Sequence, residues 1–304
     1  VNAYLINGRV PTLVDAGLDT PEAEAALMAA LGEEGLEPGD IRQVIVTHHH
    51  VDHVGLTDRF ARAGALILGH PEAAPWLEGY AAEWEKVVRL MARFFVEMGV
   101  PAEVVREVEA TPSPLLAYGR SSRFDVALGD GEAVAAGDDA WVVLHTPGHC
   151  STAICLYRES DRTLISGDHL LPHISSYAII QPAGADGSSR SRSLITYIES
   201  LQRIRAMDVS RVLPGHGEVI EDHRALIDSR LRFHRERTRS ILGLLGEGPM
   251  TPFEISGRLF PGLPPWQIFL GLSETVGHLD LLEAEGKVRA EEAGGVVVYR
   301  PTGG

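Results

Sequence analysis

The sequence predicts a layered α/β fold with a helical insertion and a small helical C-terminal part. Three observations predict it. Apolar runs of strand length alternate with amphipathic helical stretches along residues 1–220, in two halves. Residues 72–115 interrupt that alternation with a long helical period rich in aromatics. Beyond residue 220 the order becomes helix, helix, helix, hairpin. At 304 residues the chain exceeds one average domain, which fits a large unit over 1–220 and a small one over 221–304.

The elements follow in order. "NAYLI" and "TLVDAG" read as short strands joined at "NGR". A helix begins at Thr20, with Pro21 at its first position and Glu22 and Glu24 beside the positive end of its dipole, and runs to Gly35. "IRQVIVT" is a buried strand, and "ALILGH" is another after a short helix over 57–62. In the insertion, Trp84, Val87, Val88, Met91, Phe94, Phe95 and Met98 recur three and four apart as an apolar stripe. That stripe reads first as core packing and second as a lid lining an apolar substrate pocket. "RFDVAL", "GEAVAAG", "WVVLHT", "TAICLYRE" and "RTLIS" return to strands. "SRSLITYIESLQRIRAM" is an amphipathic helix and "SRVLPG" a short strand. After Val219 comes a long helix with an arginine face in "RLRFHRERTR". Two more helices and a Gly-Gly hairpin follow, the order of a winged helix.

Bulk properties narrow the function. The net charge of −15 disfavours broad attraction to phosphate backbones. The third helix of the C-terminal part carries Glu274, Asp280, Glu283 and Glu285 against Lys287, a balance that repels phosphate. It is expected to be a packing or homodimer module, with the arginine face as the candidate anion contact. No apolar run is long enough to span a bilayer. The chain opens without methionine, so upstream residues are expected, and a removed leader stays open. Cys150 and Cys155 would face opposite sides of a strand and could not pair. Free thiols fit a cytoplasmic location.

"THHHVDHVG" concentrates the chemistry. His48, His50, Asp52 and His53 have the spacing H-x-H-x-D-H between a strand and a helix. A tight loop turns His48 and His50 to one side and Asp52 and His53 to a second point, which suits two metal ions. His49 is expected to point away, to solvent or to a partner of a ligand. Zinc takes roughly four or five ligands, so more donors are needed. Three later strand ends, each with a glycine turn, supply His149, Asp168 and His216.

This set resembles the metallo-β-lactamase superfamily, in its Asp-bridged hydrolase branch, over roughly residues 1–220. "NAYLI…LVDAG", "TPGH" and "SGD" are similar to that family's core. The resemblance implies a four-layer αββα sandwich with its metals at one sheet edge. It implies that His48, His50 and His149 hold one metal, that Asp52, His53 and His216 hold the other, and that Asp168 bridges both. The commonest zinc β-lactamases have cysteine where Asp168 stands, so antibiotic hydrolysis is not expected. A diiron electron-transfer branch has glutamate where His50 stands. Imidazole and carboxylate donors suit two Zn²⁺, with Fe and Mn as the other candidates. Such a pair lowers the pKa of a shared water, giving a metal-bridging hydroxide that attacks a carbonyl or phosphorus. Asp52 is a ligand first and also orients that nucleophile. His173 and Tyr177 are candidate hydrogen-bond donors to substrate. His70 is a candidate for orienting a ligand, and His145 reads as structural.

The branch hydrolyses thioesters, lactones, other esters and RNA phosphodiesters. The stretch between Asp168 and His216 is too short for the large inserted domain of enzymes resembling ribonuclease J. Glyoxalase II shares the metal set but ends in a different helical domain. The tail is similar to the winged-helix appendage of β-lactamase-like hydrolases, some of which cut single-stranded RNA. The expected substrate is a small, partly apolar ester or thioester, and an endoribonuclease is the alternative. A metal-loaded DNA-binding regulator comes third, disfavoured by the complete ligand set and the acidic third helix.

Overall fold

The computed structural model describes residues 1–110, 114–184 and 187–303. Residues 111–113, in the last part of the insertion expected over 72–115, lie outside the described residues.

The first sheet contains β1 (Tyr4–Ile6), β2 (Thr12–Val14), β3 (Gln43–Ile45), β4 (Leu66–Gly69) and β5 (Val126–Ala127). They lie side by side in chain order. β1 and β2 are antiparallel, and β2 through β5 are parallel. Parallel pairing needs crossovers, and helices supply them. These are α1 (Pro21–Glu33), α2 (Val51–Val54), α3 (Thr57–Ala63), α4 (Ala74–Glu97) and α5 (Ala102–Ala110). Thr20 caps α1 through a hydrogen bond from the Ala23 backbone, with Pro21 in the first turn as the sequence predicts.

The second sheet contains β6 (Ala133–Ala136), β7 (Asp139–His145), β8 (Ile154–Arg158) and β9 (Thr163–Gly167). After a small hairpin of β10 (Pro182–Ala183) and β11 (Ser189–Arg190), α6 (Ser193–Ala206) leads to β12 (Arg211–Pro214). The order is β12-β9-β8-β7-β6, with only β12 and β9 parallel. The C-terminal part holds α7 (His223–Leu245), α8 (Pro252–Leu259), α9 (Pro265–Ala284), β13 (Val288–Ala293) and β14 (Val296–Pro301).

Side-chain alternation along the strands creates four layers. Val14, Ile45 and Leu68 of the first sheet pack against Trp141, Val143, Ile154, Leu156 and Ile165 of the second. Their neighbours Leu13, Val44 and Ile67 face the other way, onto Leu31, Phe60 and Leu77 of the helices. On the far side, Leu144, Cys155, Leu164 and Val212 bury under Leu194, Tyr197, Leu201 and Ile227. The result is the αββα sandwich. No helix of the described residues is long and apolar enough to cross a membrane.

Apolar contact runs across position 220. Met91, Phe94, Phe95 and Met98 of the insertion pack with Leu272 and Val276 of α9 and with Ile180 in one buried cluster. Core packing thus accounts for the C-terminal half of the aromatic stripe. The acidic residues of α9 are consumed internally. Asp280 is fully buried and bidentate to Arg190, Glu274 pairs with Arg237, and Glu283 pairs with Arg192. Leu272, Val276, His278 and Leu279 are also buried, so α9 packs into the body of the chain.

Candidate metal centre

Strand direction gathers the site. β7 and β9 both run antiparallel to β8, and β12 runs parallel to β9, so all three end at one edge. The backbone N–H of Ile154 donates to the Thr47 carbonyl at 2.9 Å, joining that edge to the end of β3. His149 lies beyond β7, Asp168 beyond β9, His216 beyond β12, and His48 to His53 beyond β3. Two glycines are required here. Gly167 has φ +47 with Thr47 packed on it, and a side chain at Gly215 would collide with Asp168.

His48 Nε2 and His149 Nε2 approach His50 Nδ1 at 3.1 and 2.9 Å. His216 Nε2 lies 3.1 Å from Asp52 Oδ2, and His53 Nε2 lies 3.5 Å from that same oxygen. Asp168 sits between the two groups, 3.4 Å from His53, 3.5 Å from His216 and 3.9 Å from His149. The donor atoms of His48, His50 and His149 fall within 4.8 Å of one another, as do those of Asp52, His53 and His216, and those of His48, His53 and Asp168. These are the residues the sequence marked; two of the groups match the sets the resemblance implied, and the third joins His48 and His53 through Asp168.

The outer ring nitrogens are tied down. His149 Nδ1 donates to the Tyr177 carbonyl at 2.9 Å. His53 Nδ1 donates to Asp15 Oδ2 at 2.7 Å, and His48 Nδ1 lies 3.0 Å from Thr47 Oγ1. Asp15 also accepts from the Thr47 backbone N–H at 2.7 Å and its hydroxyl at 2.8 Å. With Nδ1 protonated, Nε2 of His149 presents a lone pair to the cluster, and Nε2 of His53 does so once its second proton has left.

Electrostatics set the donors in the forms that bind cations. Burial, then the neighbouring histidines, push His48 and His50 well below the usual imidazole range. Burial also outweighs Asp168 and lowers His149. Burial opposes ionisation of Asp52 and Asp168, but the histidines around them hold both carboxyls below the usual range. His53 is the exception: Asp15 and Asp168 overcome burial and raise it to about 10.

The residues fit a metal centre. His53 Nε2 and Asp168 Oδ1 are buried without a hydrogen-bond partner, an expensive arrangement for polar atoms. Neutral imidazole lone pairs facing one another and two carboxylates need a cation between them. The mixed imidazole and carboxylate set suits a borderline divalent ion such as zinc.

The model of the Metallo-beta-lactamase superfamily matches residues 1–216. The chain belongs to this superfamily. It is similar to a probable metallo-hydrolase, YqjP, of Bacillus subtilis, with 36% identity over 99% of this chain and 93% of that protein. It is also similar to the acyl-coenzyme A thioesterase MBLAC2 of Gallus gallus, with 29% identity over 71% of this chain and 72% of that protein. The crystal structure of a metallo-beta-lactamase family protein from Thermus thermophilus superposes with a TM-score of 0.80 at 29% identity, covering 99% of this chain and 93% of that one. Membership makes the chain a metallo-hydrolase of that superfamily.

Several expectations need correction or addition. His70 does not orient a ligand: it accepts from the Glu72 backbone and stacks on His145 at 4.1 Å, because the chain turns into the insertion there. His145 is structural, its Nε2 donating to the Ser151 carbonyl at 2.8 Å. His49 does not face solvent. It is buried, stacks on Trp76 at 4.1 Å, and meets Thr152 Oγ1 at 2.8 Å. His173 is exposed and pairs with Glu218 at 2.7 Å, while Tyr177 contributes its carbonyl to His149 and exposes its ring. Sequence reasoning missed Asp15, Thr47, Trp76 and Thr152. Only Asp15 left a signal, a lone acid closing the apolar strand "TLV".

Proposed function

We propose that the chain is a dinuclear zinc hydrolase that cleaves a thioester or ester bearing a partly apolar acyl group. The observation that carries the reading is the pair of three-donor groups with Asp168 between them. His48, His50 and His149 would hold one ion and Asp52, His53 and His216 the other, with Asp168 touching both. Zinc at such a site supplies a water acidified towards neutral pH and a Lewis acid for the carbonyl oxygen.

The chain's own residues do the remainder. Asp52 and His216 are partly exposed, with 30% and 39% of their side chains accessible, and His50 is only partly buried, so substrate reaches the site across these three residues. Asp52, kept ionised by His216 and His53, orients the attacking water. Asp15 fixes the tautomer of His53, and the Tyr177 carbonyl fixes that of His149. Ile174 and Tyr177 expose apolar side chains on the segment after Asp168, a surface for an acyl group. Cys150 is not the nucleophile, because burial pushes its thiol up to about 12. The likeness to an acyl-coenzyme A thioesterase supports a thioester as substrate. Both cysteines are free, which supports a cytoplasmic setting.

A hydrolysis panel on zinc-loaded protein tests the reading, with acyl thioesters, lactones and single-stranded RNA as substrates. Thioester turnover that disappears in Asp168→Ala is expected. RNA cleavage lost in that variant, without any thioester turnover, would overturn the substrate assignment.

A further inference from the structure

His49 sits between two candidate ligands in sequence and has no place in either donor group. Its surroundings are nonetheless tightly built. The ring is buried and lies nearly parallel to the Trp76 indole, with 4.1 Å between centroids and 21° between planes. On its other side, Thr152 Oγ1 is 2.8 Å from His49 Nδ1 and accepts the His49 backbone N–H at 3.3 Å. Trp76 belongs to α4, the helical insertion, and Thr152 to the turn after His149. One imidazole therefore ties the insertion, the histidine loop and the His149 turn together.

His50 explains why that matters. His48, His53 and His149 each have the nitrogen remote from the cluster held by Thr47, Asp15 or the Tyr177 carbonyl. The hydrogen bonds of His50 instead run through Nδ1, the atom facing His48 and His149. Its ring rests edge-on against His49, 5.0 Å between centroids at 71°. Ligand rings need something outside the metal to orient them, and for His50 that support is a ring packed on a ring.

We infer that His49, clamped between Trp76 and Thr152, is a positioning residue through which the helical insertion sets the orientation of His50 in the metal centre. The inference rests on the metal-centre reading above. It gives the insertion a role beyond core packing. The C-terminal half of α4 is anchored on α9, and its N-terminal half delivers Trp76 to the histidine loop.

The test uses the full chain and measures zinc affinity by competition with a chromogenic chelator. The visible spectrum of the cobalt-substituted protein serves as a second readout of ligand geometry. Trp76→Leu and His49→Leu should each weaken zinc binding by about 10-fold or more and change the cobalt spectrum. Trp76→Phe, which keeps an aromatic face for His49, should restore most of both. Phe94→Leu, in the same helix but packed on α9, controls for loss of stability and should leave affinity and spectrum unchanged. If Trp76→Leu does not fold, His49→Leu carries the same comparison from the other partner. Folded leucine variants with wild-type affinity and spectrum would overturn the inference. A wild-type protein that binds no zinc would instead overturn the metal-centre reading.

Discussion

Two regions of this molecule bury charged side chains, and they do so on opposite terms. In α9, Asp280 has no accessible side chain, and each of its oxygens accepts from the Arg190 guanidinium, at 2.6 and 2.7 Å. Its needs are met within the chain. At the sheet edge, His53 Nε2 and Asp168 Oδ1 are equally out of reach of water and have no hydrogen-bond partner. Burial of charge is common to both, so burial alone does not mark a site. The mark is a buried set of donor atoms, oriented from outside, that crowd on one another and leave His53 Nε2 and Asp168 Oδ1 without a hydrogen bond.

Substitutions sharpen the contrast, beginning with the largest effect. Asp168→Ala removes the carboxylate shared by both donor groups and should abolish metal-dependent hydrolysis while the fold persists, as read by activity and circular dichroism. Asp280→Ala should do the reverse. It strands Arg190 in a half-buried position and should cost about 3–5 kcal/mol in chemical unfolding, with zinc affinity retained. Were both variants to lose zinc equally, the distinction between the regions would collapse.

Asp15→Asn comes next, because it loosens the support of His53 without touching a donor. A 10- to 100-fold drop in zinc affinity is expected, roughly the range for partners of ligands. The same pair predicts a pH dependence. The pKa of His53 is raised in the folded chain, from 6.5 to about 10. The stability it lends the metal-free protein is therefore fully present below 6.5 and lost as pH rises through 10. Unfolding of metal-free protein at pH 7 and pH 9 should show that loss, and Asp15→Asn should flatten it. Zinc competes with the same proton, so its affinity should rise across this window. The smallest effect belongs to Thr251, whose hydroxyl caps α8 in a reciprocal box with Glu254. Thr251→Ala should cost about 1 kcal/mol and leave zinc binding unchanged.

The histidine cluster was legible from its spacing, and the three later donors because each follows a strand and a glycine turn, a local pattern that survives without knowledge of the fold. His149, Asp168 and His216 are single residues far from the histidine loop, yet strand direction alone brings them to one edge. The alternation of strands and helices was legible too, but the four layers came only through the family resemblance. What stayed hidden depends on packing between distant segments. His49 reads as a spare histidine until Trp76 is seen lying on it. Thr47 looks like any strand-end residue until Asp15 is placed beside it. His70 misled for the same cause, since a histidine ending a strand carries no label saying which neighbour it will meet. The acidic third helix read as a face that repels phosphate, and the sequence could not show that α9 spends its carboxylates on Arg190, Arg192 and Arg237.

The most direct test of the metal centre is the zinc content of the purified chain after anaerobic repletion and removal of loosely bound ions, measured by inductively coupled plasma mass spectrometry. The account predicts two ions per chain in the wild type and a clear loss in Asp168→Ala. A wild-type content far below two ions per chain, unchanged by that substitution, would contradict it.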